Sequence, residues 1–345
     1  MQKLATIDNN RNKNRILKSS LLIMIGLLIL FLGVAVSVSQ GTKNISLSTV
    51  LSSIFGVKEG IDFQIIRNIR MPRALSAALV GAFLSVSGAI MQGITRNPIA
   101  EPSIMGVTQG ATFAVAIAFV MEQSLGSVGL MFAAFIGASL SGLFIYFLSS
   151  KTITEVDPIK LVLAGTALGT LLISLSTAIA MYTNLSQQIS FWIAGGLAGV
   201  KWSGVNLLVF VGIFGITVAI FLSPKITILS LGEEIAIGLG ENTRRIRFIG
   251  ILIVIVLSGS AVAVAGNITF VGLIVPQIVQ SIIGPDYRHI IPCSLVWGAN
   301  LLIYSDLIAR MINQPYETPI GALTALLGVP FFIYLVRRKA KGLRL

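Results

Sequence analysis

Three arginines spaced by three residues, Arg67, Arg70 and Arg73, stand just before a long uncharged run, and another, Arg310, closes a later one. A guanidinium forms charge-assisted, bidentate pairs with carboxylates, so this set suits the reception of an acidic partner; snorkelling from a helix end is the plainer role. A second constellation is Ser230-Leu231-Gly232-Glu233, a serine followed three residues later by a glutamate. That spacing matches a capping box, with Ser230 capping a helix and Glu233 reaching back. It predicts a short helix over 231–239, ended by Gly240, and a second turn through 242–247. Two small helices carrying exposed Glu233, Glu234 and arginines suit a docking surface; a solvated loop is the alternative.

Other chemistries find little support. A single cysteine, Cys293, excludes an internal disulfide, and a single histidine, His289, excludes multi-histidine metal sites. Ser87-Gly88 lacks the preceding glycine of a membrane serine-protease motif, and small residues such as Gly81, Ser85 and Gly88 suit close helix packing instead. Gly238-Leu239-Gly240 has no Gly-Lys-Ser/Thr after it, so no segment holds ATP by a known phosphate-loop mechanism. No cofactor is expected, and an ATP-driven process would need its ATPase on another polypeptide. Ion coupling requires acids at membrane depth, and Asp306 is the one candidate. It stands four residues before Arg310, where local pairing on one helix face is expected.

The elements that must position these groups follow from composition. The chain has 345 residues, 55% of them hydrophobic and only 11% charged, with a net charge of +12 and a mean hydropathy of +0.91. A soluble domain is about one quarter charged, so the chain reads as a single integral membrane domain over 1–345. Its basic clusters lie between apolar runs, which points to loop orientation and a lipid bilayer rather than to nucleic acid. Charged residues punctuate the chain and delimit spans at about 19–39, 74–94, 104–121, 126–148, 160–182, 203–223, 248–265, 268–284, 289–310 and 319–336. The opening resembles a signal peptide, but its apolar run exceeds the usual length of about 7–15 residues, so a retained first span is expected.

Two uncharged stretches, 161–200 and 248–285, are too long for one crossing and must fold back. The second breaks at Ala265-Gly266-Asn267 and carries Pro276 beyond. The first leaves 186–198, too short to cross, as a re-entrant or surface half-helix. Irregular backbone at membrane depth is tolerated only against protein or a water-filled cavity, so these breaks mark the expected transport route. An even count of ten spans puts both termini on one side, and a cytoplasmic N- and C-terminus places most lysines and arginines inside. The class expected is all-α, with ten transmembrane helices, short re-entrant segments and a five-plus-five inverted repeat.

Many of these residues stand in an order that resembles one family. Arg70-Met71-Pro72-Arg73-Ala74-Leu75 is similar to an Arg-x-Pro-Arg-x-Leu opening. Likeness continues through Ser87-Gly88, Gln92, Arg96-Asn97-Pro98-Ile99-Ala100-Glu101-Pro102, Gly106-Val107, and Trp192 with Gly195-Gly196. It extends through Leu231-Gly232-Glu233-Glu234-x-Ala236, Leu239-Gly240, Phe270–Pro276, Asp306 with Ala309-Arg310, and Glu317-x-Pro319-Ile320-Gly321. The family is the ten-span permease subunits of bacterial ABC importers for ferric siderophores, haem and cobalamin. Three positions depart from it: Gln277 and Gln280 stand where the family usually has His and Arg, and the Asp-His-Arg of the next loop is here Asp286-Tyr287-Arg288.

The resemblance implies an ATP-driven importer in the bacterial cytoplasmic membrane, carrying an iron–siderophore chelate by alternating access. Its partners would be a second permease, expected to be a paralogue in a heterodimer, two ATPase subunits that bind ATP, and an extracytoplasmic binding protein. Arg70, Arg73 and Arg310 would receive acidic residues of the binding protein. The 225–247 loop, with Ser230, Leu231, Gly232, Glu233, Glu234, Ala236, Leu239 and Gly240, would couple to the ATPase. Gln92, Asn97, Pro158, Ile159, Gly266, Asn267, Pro276 and Gln277 are the candidate pathway or gate. An ion-coupled secondary transporter is the competing reading.

Overall fold

A computed structural model describes residues 2–41, 45–54, 60–121, 126–152, 155–156, 158–314 and 316–342. The first helix, α1 (Gln2–Ser39), is followed by a short α2 (Leu47–Ile54). A single continuous helix then runs from 61 to 95, built of α3 (Ile61–Ile65), a π-helical turn over Ile66–Arg70, and α4 (Met71–Thr95). The charges of Arg67, Arg70 and Arg73 therefore lie along a helix, not on the loop expected before 74. A 3₁₀ turn (Pro102–Met105) leads into α5 (Val107–Met121), then α6 (Ser127–Ser149). A short antiparallel ribbon, Ser150–Thr152 against Glu155–Val156, precedes α7 (Pro158–Tyr182).

The half-helix expected after residue 185 is α8 (Ser186–Ala194). Next come α9 (Trp202–Ser230), α10 (Glu233–Gly238) and α11 (Thr243–Ala265), then α12 (Val271–Ile283), α13 (Tyr287–Ile312) and α14 (Ile320–Gly342). Among the described residues, eight helices are long and apolar enough to cross a membrane, and α5 and α12 are two shorter apolar helices. The architecture is the all-α membrane class expected. The break at Ala265-Gly266-Asn267 falls where α11 ends, with Gly266 at a φ of 66°. At 13 residues, α12 is about 20 Å long, short of a hydrocarbon core of about 30 Å.

The centre of the bundle is α4, which packs against α13, α11, α9, α12 and α1. Its axis approaches two neighbours closely because glycines face each other: Gly81 against Gly298 of α13, and Gly88 against Gly272 of α12. A Cβ at Gly81 or Gly88 would collide with the facing glycine's carbonyl. Helices in lipid gain little from hydrophobic association, so such small-residue contacts supply van der Waals packing. Phe83, Ile90 and Met91 of α4 fill the spaces beside these contacts and are fully buried, as are Ile255 and Leu257 of α11. On the periphery, α1 is held to α13 by polar bonds along its length. Trp297 Nε1 donates to Leu22 O (3.3 Å), Asn300 Nδ2 to Gly26 O (2.9 Å) and Tyr304 Oη to Ile29 O (3.1 Å).

The Gly88–Gly272 contact generates a prediction. A Gly88→Val substitution is expected to destabilise by at least the 1–3 kcal/mol typical of overpacking, because backbone rather than a mobile side chain stands in the way. Thermal unfolding in detergent should show a lowered midpoint, while Gly126→Val, at a position open to solvent space, should leave it unchanged.

Candidate functional site

At one end of the bundle, two of the three arginines of the docking expectation are buried, Arg70 at 6% and Arg73 at 8% exposed, and Arg310 is half-buried. Arg73 enters from the first turn of α4. Its Nε donates to Asp306 Oδ1 and Oδ2 (3.0 and 3.2 Å), its Nη2 lies 2.9 Å from Oδ1, and its Nη1 donates to Glu317 Oε1 (2.6 Å). Asp306 is completely buried. Arg310 Nε comes within 3.1 Å of Asp306 Oδ2, an ion pair not aligned as a hydrogen bond, while its Nη2 donates to Ser37 Oγ (2.7 Å). Arg70 Nη1 donates to the carbonyls of Val38 and Ser39, both at 2.8 Å.

The expectation of three free arginines on the outer face is thus corrected. Charges at the edge of a low-dielectric bundle are costly unless paired, and these guanidiniums tie the end of α1 to α4, α13 and the approach to α14. Local pairing of Asp306 with Arg310 is as expected; Arg73 and Glu317 as further members were not foreseen, because their sequence separations of 233 and 244 residues from the groups they meet leave no local signal. Arg67 is the exposed arginine of the series, its guanidinium 5.7 Å from the centre of the Phe63 ring.

Beside this network lies a cavity of about 400 Å³, where the broken segments meet. Arg73 and Glu317 form one wall, α8 with Trp192 and Gly195 another, and Gly266 with Pro319 and Ile320 the rest. Gly195 fits directly against the Asn267 backbone, Gly266 against the Trp192 carbonyl, and Gly196 N donates to Ala265 O (2.8 Å). Backbone freed at the two breaks is therefore satisfied by protein, as a membrane requires. Trp192 Nε1 and Asn267 Oδ1 are buried without a hydrogen-bond partner.

Gln92, Asn97, Pro276 and Gln277 are not among the residues that line this cavity. Gln92 Nε2 donates to Gly272 O (3.1 Å), and Gln277 Nε2 donates to Gln92 Oε1 (2.8 Å) and Gln280 Oε1 (3.4 Å), a small amide cluster between α4 and α12 one turn around Pro276. Asn97 Oδ1 accepts from Ile99 N (3.3 Å) and shapes the loop after α4. Pro158 and Ile159 open α7, and their side chains lie outside the described residues. Glu101 was not foreseen as a site residue. It is partnered by Ser103 Oγ and accepts from Phe270 N (3.1 Å), so it ties the loop after α4 to the first turn of α12, where Phe270 adopts a left-handed φ of 69°.

At the opposite end, α9 continues through Ser230, whose Oγ donates back to Thr227 O (2.7 Å). No capping box forms. Gly232 is the N-cap of α10, at a φ of 137° that L side chains rarely adopt, and Glu233 turns outward from the helix start to meet α11. Arg247 Nη2 and Nη1 donate to its carboxylate (2.8 and 3.2 Å), with Thr243 Oγ1 at 3.1 Å. Burial would raise the Glu233 pKa, but Arg247, Thr243 and the charge of Arg96 outweigh it and hold the carboxyl below its ordinary value. This ion pair is therefore retained across neutral pH and is lost only as the pH falls through that lowered pKa.

The expected turn over 242–247 is instead the first turn of α11, capped by Asn242 Oδ1, which accepts from Arg245 N (3.0 Å). Ala236 packs inward with no exposed area, Gly240 reverses the chain at a φ of 80°, and Glu234 is exposed. Leu231, Ile235, Ile237 and Leu239 are 50–63% exposed, an apolar ridge on a polar loop. Sequence reasoning weighted the glutamates and passed over this ridge, although four large aliphatics within nine residues of a loop carry the signal.

A bundle of membrane helices, an ion-paired cavity at one end and an apolar elbow at the other define a transport permease. Residues 27–338 match the model of the FecCD transport family, and the chain belongs to that family. It is 50% identical over 324 residues to the iron(3+)-hydroxamate import system permease protein FhuB of Bacillus subtilis, covering 94% of this chain and 84% of that protein. It is 34% identical to the ferric enterobactin transport system permease protein FepD of Escherichia coli, covering 92% and 95%. A solved metal-chelate type ABC transporter in an inward-facing conformation superposes with a TM-score of 0.80 at 28% identity, covering 92% of this chain and 98% of that one. This is a multi-pass membrane subunit of an ABC importer, and the family implies a separate ATPase and a binding protein.

The buried network yields a prediction with a built-in contrast. Asp306→Ala leaves two buried arginines without their shared carboxylate and is expected to cost about 3–5 kcal/mol, read as a lowered unfolding midpoint in detergent. Glu317, whose side chain is 46% exposed, should cost about 0.2–1 kcal/mol when changed to Gln.

Proposed function

We propose that this chain is one of two permeases in an importer that accepts an iron–siderophore chelate, of hydroxamate type, from an extracytoplasmic binding protein and releases it inward by alternating access. The substrate class follows from the relatives: iron(3+)-hydroxamate and ferric enterobactin permeases match nearly the whole length of the chain. The observation that carries ATP coupling is the elbow of α10. An apolar ridge exposed between two spans, braced by the Glu233–Arg247 pair, suits a groove on an ATPase subunit.

The arrangement proposed has ten crossings, with α5 and α12 as the two short ones, a five-plus-five inverted repeat, both termini in the cytoplasm and the 225–247 loop inside. Arg15, Lys18, Arg244, Arg245, Arg288 and Arg337 then share the cytoplasmic side, as the positive-inside rule favours. The cavity among α8, Gly266 and Pro319 becomes the outer part of the route, with Trp192 in its wall and Asn267 packed behind it against Gly195. The amide cluster of Gln92 and Gln277, with Pro276, lies deeper beside it as a gate, and Asn97, Pro158 and Ile159 belong to its inner approach.

A second permease, a paralogue of this one, closes the route; only 17% of the most apolar windows of α7 and α14 is buried within this chain. Docking of an acidic face of the binding protein falls to exposed Arg67, while Arg70, Arg73 and Arg310 hold the rim in shape beneath it. Asp306, the acid an ion-coupled carrier would need, is held by Arg73 and Arg310, which speaks against that alternative.

Uptake of radio-iron loaded on a hydroxamate siderophore, in cells lacking and then regaining this gene, tests the reading. Uptake should stop on ATP depletion and persist when an uncoupler collapses ion gradients with ATP maintained; the opposite pattern means ion coupling. Gly232→Val, strained in the left-handed region, and Glu233→Arg, which repels Arg247, should each abolish uptake while the protein still accumulates in the membrane and retains less ATPase on purification. Arg67→Glu should weaken binding-protein affinity by about fivefold at low salt, an effect that fades as salt screens the surface.

A further inference from the structure

A groove of about 470 Å³ runs between α1, α12 and α13, away from the cavity described above. Leu22 and Ile29 of α1, Val275, Ile278 and Ile282 of α12, and Trp297 of α13 are among its walls, and nearly all of its surface is apolar. Opened to a bilayer, a void this size and this apolar would fill with hydrocarbon. What distinguishes it is the end at which α12 stops.

The stripe of α1 that lines the groove carries cations beyond it. Arg15, Leu22 and Ile29 are spaced by seven, and Lys18 stands four residues before Leu22, so all four fall on one helical face. Arg15 is two turns, about 10 Å, from the groove's Leu22. Its guanidinium lies against Gly284, where a Cβ would come within 3.6 Å of Nε, so it sits at the mouth beside the end of α12. From α13, Arg288 is paired with Asp286 at 2.6 Å, and His289 meets Ser19 Oγ through Nδ1 at 3.1 Å. Counting Asp286 against Arg288, the mouth retains the two positive charges of Arg15 and Lys18.

We propose that this groove is a binding site for an anionic phospholipid, with one acyl chain between α1, α12 and α13 and the phosphate at Arg15 and Lys18. Basic pockets between membrane helices recognise anionic headgroups in this manner, each nearby cation strengthening the attraction several-fold. The short α12 makes the site possible, since a helix two turns longer would occupy the space where the headgroup sits. In the orientation proposed above, the site opens to the cytoplasmic leaflet.

The test is native mass spectrometry of the full chain, extracted in mild detergent with whatever subunits accompany it and titrated with phosphatidylglycerol or phosphatidylcholine. The wild type should retain phosphatidylglycerol with a preference of about tenfold over phosphatidylcholine. Arg15→Gln with Lys18→Gln should bring the two lipids near parity. An equal loss of charge elsewhere, Arg337→Gln with Arg338→Gln, should leave the preference intact. Ile278→Trp, which fills the groove, should reduce retention of both lipids. The proposal is overturned if the Arg15/Lys18 variant keeps the preference, if the Arg337/Arg338 variant loses it equally, or if Ile278→Trp leaves retention unchanged. Retention of a second permease in the groove in place of lipid would also overturn it.

Discussion

The close approach of backbone to backbone at Gly81–Gly298 and Gly88–Gly272 is the contact on which the rest of the permease depends. In lipid, apolar side chains gain nothing by leaving one hydrocarbon phase for another, so a bundle holds only where shapes interlock closely. Removing side chains at these crossings lets α4 lie at the centre, with 83% of its most apolar window buried. It also allows α12 to be short. At the start of this 13-residue helix, the Glu101 bond to Phe270 N and the close backbone contacts of Gly272 with Gly88 and of Asn267 with Gly195 seat the broken chain against protein.

Charge is placed by the same economy. Where the bundle meets one surface, Asp306 is shared by Arg73 and Arg310, and Glu317 takes the outward side of Arg73. At the other surface, Glu233 and Arg247 brace the elbow. Between these ends, many of the polar groups are hydroxyls and amides bonded to backbone, as with Thr112, Ser258, Gln92 and Asn300, and Glu101 is a carboxylate placed in a break. The cavity between the breaks is therefore not rich in reactive groups; it lies where helices stop, and its walls are mostly apolar side chains and backbone.

Much of this was legible in the sequence. The punctuation by charges located the apolar helices, and Ala265-Gly266-Asn267 and the half-helix beginning at Ser186 were evident because 38 and 40 uncharged residues cannot form one crossing. The ordered motifs pointed to the family. What failed did so for physical reasons. The Ser230–Glu233 spacing imitates a capping box, yet α9 runs through Ser230 and Glu233 finds a stronger, charged partner in Arg247. The arginine series looks like a loop of free cations because the acids that neutralise it are more than two hundred residues away. Nothing local in a sequence reports that Asp306 and Glu317 fold back onto Arg73, and nothing in a charge count reveals the apolar ridge of the elbow.

The helix that begins at Ile61 does not stop at the membrane. Its 35 residues make a rod of about 52 Å, against a hydrocarbon core of about 30 Å. Exposed Arg67 sits near one tip. At the other, Arg96 follows its last turn, and its Nη1 is 3.9 Å from where a Cβ on Gly232 would stand. One continuous helix thus joins the arginine-bearing end of the bundle to the neighbourhood of the elbow, where the Arg96 side chain makes the approach to Gly232. Near its start the α-helical ladder widens into a π turn at Ile66–Arg70, so the rod carries exposed Arg67 and buried Arg70 on the same turn, just before Arg73.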